Sequence, residues 1–258
     1  MLFCGIGKKF KSVYYYYNHF LGKGMSKIMN KYGIIAAMQE EMKEIEYIMT
    51  DKENQKIFDL NIITGKINDT EVVLVEAGIG KVNAARTTQI LIDNFQINGI
   101  INVGSAGSAN DELDIGDIVI GNKLIQHDFD ITAFGHPKGF ISNVGQYVES
   151  DNTLVQKMKQ TISKMQDNEF KIKIGTIASG DIFCTEIKMK EKIRNKFEAD
   201  AIEMEGAAIA QVCKLDNVPF IVIRSISDNP NGNNNITFDQ FLEKAAKRCA
   251  LIIEKFMM

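Results

Sequence analysis

From Tyr32 to the C-terminus, short unbroken apolar runs alternate with stretches in which apolar residues return every three or four positions. Unbroken runs of this length read as strands covered on both faces, and the wider spacing reads as helices with one buried stripe. Tyr32–Met38 is the first such strand, and Gln39–Thr50 is a helix carrying Met42, Ile45 and Ile48–Met49 on one side. Asn61–Ile67 and Glu71–Glu76 flank Asn68-Asp69-Thr70, a hairpin signal. A helix is predicted over Lys81–Asn94, with strands at Gly99–Val103 and Asp117–Ile125. A long polar and aromatic loop, His127 to Gln146, precedes a helix at Asn152–Met165. Strand Lys171–Ala178, helices Glu186–Phe197 and Glu205–Leu215, and strand Phe220–Ile223 continue the alternation. Thr237, with Gln240 three residues later, is a capping-box signal for a last helix that runs to the C-terminus. Strands alternating with helices predict one three-layer α/β/α domain, and the hairpin makes its central β-sheet mixed.

Charge gathers where these runs end. Ala201-Ile202-Glu203-Met204-Glu205-Gly206 puts two carboxylates two residues apart at the start of a helix. Phe220–Ile223 runs into Arg224-Ser225-Ile226-Ser227-Asp228. Charges at such junctions cost free energy unless something pairs with them, and the strand ends of an open α/β sheet are where such folds bind ligands. A ligand rich in hydroxyls would supply the pairing. Taken singly, each feature has an ordinary explanation. Glu40 and Glu41 suit the first turn of a helix, Asp228 suits a surface ion pair with Arg224, and the glycine clusters Gly78–Gly80 and Gly104–Gly107 suit tight turns. Neither cluster has the spacing of a dinucleotide or P-loop motif. It is the recurrence of acids and an arginine at several strand ends of one sheet that points to a site.

Composition narrows the classes. The 258 residues are 45% hydrophobic with a net charge of −3, so no global field favours nucleic acid. Cys4, Cys184, Cys213 and Cys249 form no CxxC pair and do not cluster with the three histidines, so no metal site is expected. Isolated thiols fit a reducing, cytoplasmic compartment. No apolar run is long enough to span a membrane. Residues 1–30 carry five lysines, no acid and a run of tyrosines, without the apolar core or cleavage site of a secretory signal. They are expected to be a disordered leader or a mis-assigned start, with the domain at 31–258. The run Asn229–Asn235 reads as a loop able to act as a lid.

Six ordered motifs carry a resemblance: Gly33-Ile34-Ile35-Ala36-Ala37-Met38-Gln39-Glu40-Glu41, Gly78-Ile79-Gly80-Lys81-Val82-Asn83-Ala84-Ala85, Asn102-Val103-Gly104-Ser105-Ala106-Gly107, Ser179-Gly180-Asp181, Glu203-Met204-Glu205 and Arg224-Ser225-Ile226-Ser227-Asp228. Together, over residues 31–258, they resemble the 5′-methylthioadenosine/S-adenosylhomocysteine nucleosidases, which have the nucleoside phosphorylase-like fold. The resemblance implies the following roles. Glu41 activates the attacking water, held by Ser105 and Arg224. Asp228, beside Ser227, protonates N7 of adenine. Glu205 takes the ribose hydroxyls and Met204 packs under the sugar, with Glu203 among the substrate-binding residues. Phe183 stacks on the base and the backbone of Cys184 reads its edge. Met38, Ile79 and Phe238 wall the 5′-alkylthio pocket, which Ile131 and Phe134 of a second subunit complete. Gln39 and Cys184 depart from the family's usual acid and aliphatic residue.

The chemistry implied is hydrolysis of an N-glycosidic bond through an oxocarbenium-like transition state, with a base and an acid on either side of the bond. Phosphorylases resembling this family bind phosphate through arginines where this chain has Asn102 and Gln39-Glu40-Glu41. Acids there repel phosphate at close range, so water is the expected nucleophile. No cofactor is expected. The expected partners are small adenosine thioethers and a second copy of the chain, with no nucleic acid and no membrane. A futalosine-type or other nucleoside hydrolase or phosphorylase of the same fold is the enzymatic alternative, and a nucleoside-binding or storage protein the non-enzymatic one.

Overall fold

The computed structural model describes residues 31–165, 170–228 and 238–258. The leader, the Asn229–Asn235 loop and the Thr237 cap lie outside the described residues. Ten strands form one mixed sheet: β1 (Lys31–Ala36), β2 (Thr50–Ile57), β3 (Leu60–Ile67), β4 (Thr70–Glu76), β5 (Gly99–Ser108), β6 (Ile118–Gln126), β7 (Val148–Glu149), β8 (Ile172–Ser179), β9 (Ala199–Glu203) and β10 (Phe220–Asp228). The helices are α1 (Gln39–Tyr47), α2 (Lys81–Phe95), α3 (Asn152–Ser163), α4 (Ile187–Phe197), α5 (Gly206–Asp216) and α6 (Phe238–Phe256).

Central strand β5 organises the sheet. It pairs in parallel with β1, which pairs in parallel with β4; β3 and β2 follow antiparallel to the edge. On its other side β5 pairs with β10, and the chain of pairings continues through β6, β8 and β9. β9 returns antiparallel to the end of β5, at Gly107 and Ser108. Five strands therefore close into a ring. β1 leaves the edge of β5 at Val103 and β9 joins that edge only at Gly107. Gly104, Ser105 and Ala106 consequently have a strand neighbour on the β10 side alone.

Both faces of the sheet are covered, which is why its strands read as unbroken apolar runs. Ile34, Leu74 and Ile101 face a core shared with α1, α3 and α6, while their neighbours Ile35, Val73 and Ile100 face a second core with α2 and α5. Helix α4 packs Ile193 and Phe197 against the β8–β9 side of the ring. At the hairpin turn Asn68 adopts φ 52°, a left-handed conformation that asparagine tolerates. No helix among the described residues is long and apolar enough to cross a membrane.

Three expectations need correction. The helix predicted to Thr50 ends at Tyr47, and Thr50–Ile57 is a strand. Its sequence, TDKENQKI, is almost wholly exposed, so an edge strand wet on both faces leaves no apolar alternation to read. Strand β5 does not stop at Val103 but runs through Gly104–Gly107, so those glycines lie in a strand rather than a tight turn. Strand β10 likewise runs on past Ile223 to Asp228, so Arg224 and Asp228 are strand residues.

Phe256 is fully buried in the first core and meets Tyr32 edge-on, with ring centroids 6.1 Å apart. Phe256→Ala is expected to destabilise the fold by roughly 3–5 kcal/mol. A lowered urea midpoint with an unchanged slope would show it.

Candidate active site

Ser105 lies in the stretch of β5 that has lost its neighbour on one side. Its N–H donates 3.0 Å to Oε1 of Glu41, and its hydroxyl lies 3.4 Å from the same oxygen. Oε2 of Glu41 accepts from the N–H groups of Ala37 and Met38, at 3.1 and 3.2 Å. Glu41 thus closes the end of β1, the start of α1 and the gap in β5 with one carboxylate. Gly104 lets it approach: a Cβ there would stand 3.1 Å from Oε1. Burial pushes the Glu41 carboxyl above its ordinary range, against the Ser105 N–H, the Arg224 charge and the amides of Met38 and Ala37, which pull it down. A raised carboxyl binds an abstracted proton more firmly, as a general base requires.

Behind the pocket a buried network fixes Arg224. Its guanidinium bonds Glu203, the Asn102 side-chain oxygen and the Ile223 carbonyl. Asn102 in turn donates to Ile35 O at 2.9 Å. Glu203 also accepts from the Ser179 hydroxyl and from the N–H groups of Glu205 and Gly206, at 3.1 and 2.7 Å. These bonds use the carboxylate's acceptor positions. Three of them fall on Oε2 and one on Oε1, and Glu203 also lines the pocket. Arg224 Nε is buried and has no hydrogen-bond partner among the described residues.

The Glu205 carboxylate accepts one hydrogen bond among the described residues, from Gly80 N–H at 2.8 Å. Gly80, at φ 98°, is the residue that starts α2, a conformation L side chains rarely adopt. Burial first, then the Glu203 charge, pushes the Glu205 carboxyl up to about 7, while Gly80 and Arg224 pull the other way. Its remaining lone pairs suit two neighbouring hydroxyls.

Asp228 ends β10. Its Oδ1 is 3.1 Å from the Ser227 hydroxyl, which is also 3.1 Å from Ala106 O. A hydroxyl has one proton, so Ser227 can donate to the carboxylate or, when bonded to Ala106 O, accept from the carboxylic acid. Oδ2 pairs with Lys190. Gly107 makes room here as Gly104 does for Glu41. The two glycines are three positions apart, about 10 Å along an extended strand, and both acids line one pocket.

One pocket gathers Met38, Glu41, Ile79, Ser105, Phe183, Cys184, Glu203, Met204, Glu205, Arg224, Ser227 and Asp228. Ile131 and Phe134 do not line it; Phe134 is 81% exposed on the loop after β6. The side chain of Phe238 lies outside the described residues. Sequence reasoning missed Ser179 as a link between Glu203 and the N–H of Ala207. It also missed Lys190, although a lysine at helical spacing with Ile193 and Phe197 was a visible signal.

Comparison with known proteins identifies the family. Residues 31–257 match the phosphorylase superfamily model. The 5′-methylthioadenosine/S-adenosylhomocysteine nucleosidase of Staphylococcus haemolyticus is 42% identical over 226 residues, covering 87% of this chain and 98% of that protein. The Campylobacter jejuni enzyme of the same name superposes with a TM-score of 0.83 at 35% identity, over 88% of this chain and 98% of that one. Futalosine hydrolase of Helicobacter pylori superposes with a TM-score of 0.83 at 36% identity, over 90% and 98%.

The Glu205 carboxyl gives stability a pH dependence. In the folded chain it holds its proton up to about 7, against 4.5 for an ordinary glutamate. Between those values the folded state binds more protons than the unfolded one, so this group's contribution falls as pH rises from 4.5 to 7. The loss is at most roughly 3 kcal/mol. Glu205→Gln is expected to flatten that slope and to raise the melting temperature at pH 8 relative to the parent; parallel curves would contradict it.

Proposed function

The chain belongs to the phosphorylase superfamily and, within it, to the 5′-methylthioadenosine/S-adenosylhomocysteine nucleosidases, with their nucleoside phosphorylase-like fold, and we propose that it hydrolyses the N-glycosidic bond of both thioethers, releasing adenine and the 5-thioribose product. The observation that carries this reading is the charge of the pocket. Four carboxylates, Glu41, Glu203, Glu205 and Asp228, line it with one cation, Arg224. Such a lining favours a sugar that gains positive charge as the bond breaks and disfavours a phosphate dianion. Glu203 and Asn102 hold the Arg224 guanidinium, and Glu203 offsets its charge.

Within that site, Glu41 takes the proton of the attacking water while Ser105 and Arg224 hold carboxylate and water. Glu205 accepts from the ribose hydroxyls over Met204. Asp228 protonates N7 as the base leaves, with Ser227 holding the acid before and after transfer. Phe183 covers the base, and Met38 and Ile79 receive the 5′ substituent. The reaction clears the by-products of methyl transfer, and its products feed methionine salvage in the cytoplasm. A homodimer completes the 5′ pocket with Ile131 and Phe134 of the partner. The exposed apolar residues Ile79, Val82, Phe134, Ile182 and Ile187 support that assembly.

Futalosine hydrolysis is the second reading, because the Helicobacter pylori futalosine hydrolase superposes as well as the nucleosidase from Campylobacter jejuni.

Adenine release from methylthioadenosine is expected without phosphate, with free methylthioribose as the sugar product. A phosphate requirement and a sugar 1-phosphate would make the enzyme a phosphorylase; activity confined to futalosine-type nucleosides would favour the second reading. Glu41→Gln and Asp228→Asn are each expected to lower kcat by about 10²–10⁴-fold, and parent-like turnover in either would remove its assigned role. Phe134→Glu is expected to shift sedimentation from dimer to monomer and to cost activity; an active monomer would remove the partner's part in the pocket.

A further inference from the structure

Four lysines lie on α4, and three of them, Lys188, Lys192 and Lys196, face solvent. The fourth, Lys190, falls on the buried face with Ile193 and Phe197, and its side chain is 4% exposed. Its ammonium pairs with Oδ2 of Asp228. Lys190 does not line the pocket, whereas Asp228 does. The lysine therefore stands behind the acid, on the side away from the ligand space. Both groups crowd the backbone of Gly107, where a Cβ would stand 3.1 Å from Asp228 Oδ1 and 3.3 Å from Lys190 Nζ. A buried ammonium is costly unless a carboxylate compensates it. A leucine or methionine at this position of α4 would cover the same apolar surface without that cost, so packing does not account for the lysine.

We propose that Lys190 is the positioning residue of the leaving-base acid. It fixes Oδ2 of Asp228 so that Oδ1 faces the base, and it compensates the carboxylate that forms when the proton departs. The proposal rests on the nucleosidase reading. In the step it serves, the Oδ1–H bond of Asp228 breaks as N7–H forms, and the electron pair of the glycosidic bond goes to the purine. The oxygen of water bonds to the anomeric carbon and the proton it loses goes to Glu41. The new charge on Asp228 then faces the ammonium. An interaction stronger after proton transfer than before it raises kcat and leaves substrate binding nearly unchanged.

The test compares the parent, Lys190→Met and Lys190→Arg on two substrates. One is methylthioadenosine, whose base leaves with a proton. The other is the 4-nitrophenyl glycoside of 5-methylthioribose, whose phenolate leaves without one. For adenine release, Lys190→Met is expected to lower kcat by about tenfold or more with KM within about threefold, and Lys190→Arg to recover most of the loss. Nitrophenolate release is expected to stay within about twofold of the parent. Parent-like adenine release in Lys190→Met would overturn the proposal. Equal loss on both substrates would overturn it too, because it would mean that the lysine only holds the fold. Should Lys190→Met fail to fold, Lys190→Gln is judged by the same ratios. A parent inactive on methylthioadenosine would overturn the nucleosidase reading and this proposal with it, an outcome distinct from a selective loss in the variant.

Discussion

Between Val103 and Gly107, strand β5 has exchanged neither β1 for β9 nor either for solvent: β1 has gone and β9 has not arrived. A buried N–H in such a gap must find an acceptor or cost free energy. Ser105 finds Glu41. That bond draws a carboxylate into the interior, ties it to the start of α1, and leaves the strand's open edge as the floor of the pocket. The same divergence of neighbouring strands is what generally creates binding crevices in α/β sheets. Here the closing of the ring through β9 adds a second wall, which carries Glu203 and leads into Glu205.

The site is acidic, and backbone amides supply much of what makes that tolerable. Glu41 receives amides at the start of α1, Glu205 the amide of Gly80 at the start of α2, and Glu203 the first amides of α5. Helix N-termini carry partial positive charge and favour anions. Arg224 supplies one full charge, held by Glu203 at the back. Fixed dipoles and the paired cations together hold an acidic lining toward the pocket, which favours a sugar that gains positive charge. Phosphate would face four acids there.

Much of this architecture shows in the order of residues. The apolar runs of β1, β4 and β10 are unbroken because both faces are covered, and the Asn68 turn is marked by its own chemistry. Strand β2 does not show, because every polar residue in TDKENQKI is satisfied by water as readily as by a sheet. The glycines of β5 read as a turn because their use lies elsewhere. Gly104 and Gly107 are small so that Glu41 and Asp228 can come close, and neither acid is a sequence neighbour.

Periodicity and local chemistry are properties of neighbouring residues, so the alternation of elements, the mixed sheet and the motif-bearing strand ends follow from the chain read in order. Pairing across long separations is not local. Arg224 meets Asn102 across 122 positions, Ser105 meets Glu41 across 64, and Lys190 meets Asp228 across 38. Each of these pairs depends on which strands and helices become neighbours. It was the closure of the ring around β5 that turned a set of strand-end charges into one pocket lined by both Glu41 and the Lys190-paired Asp228.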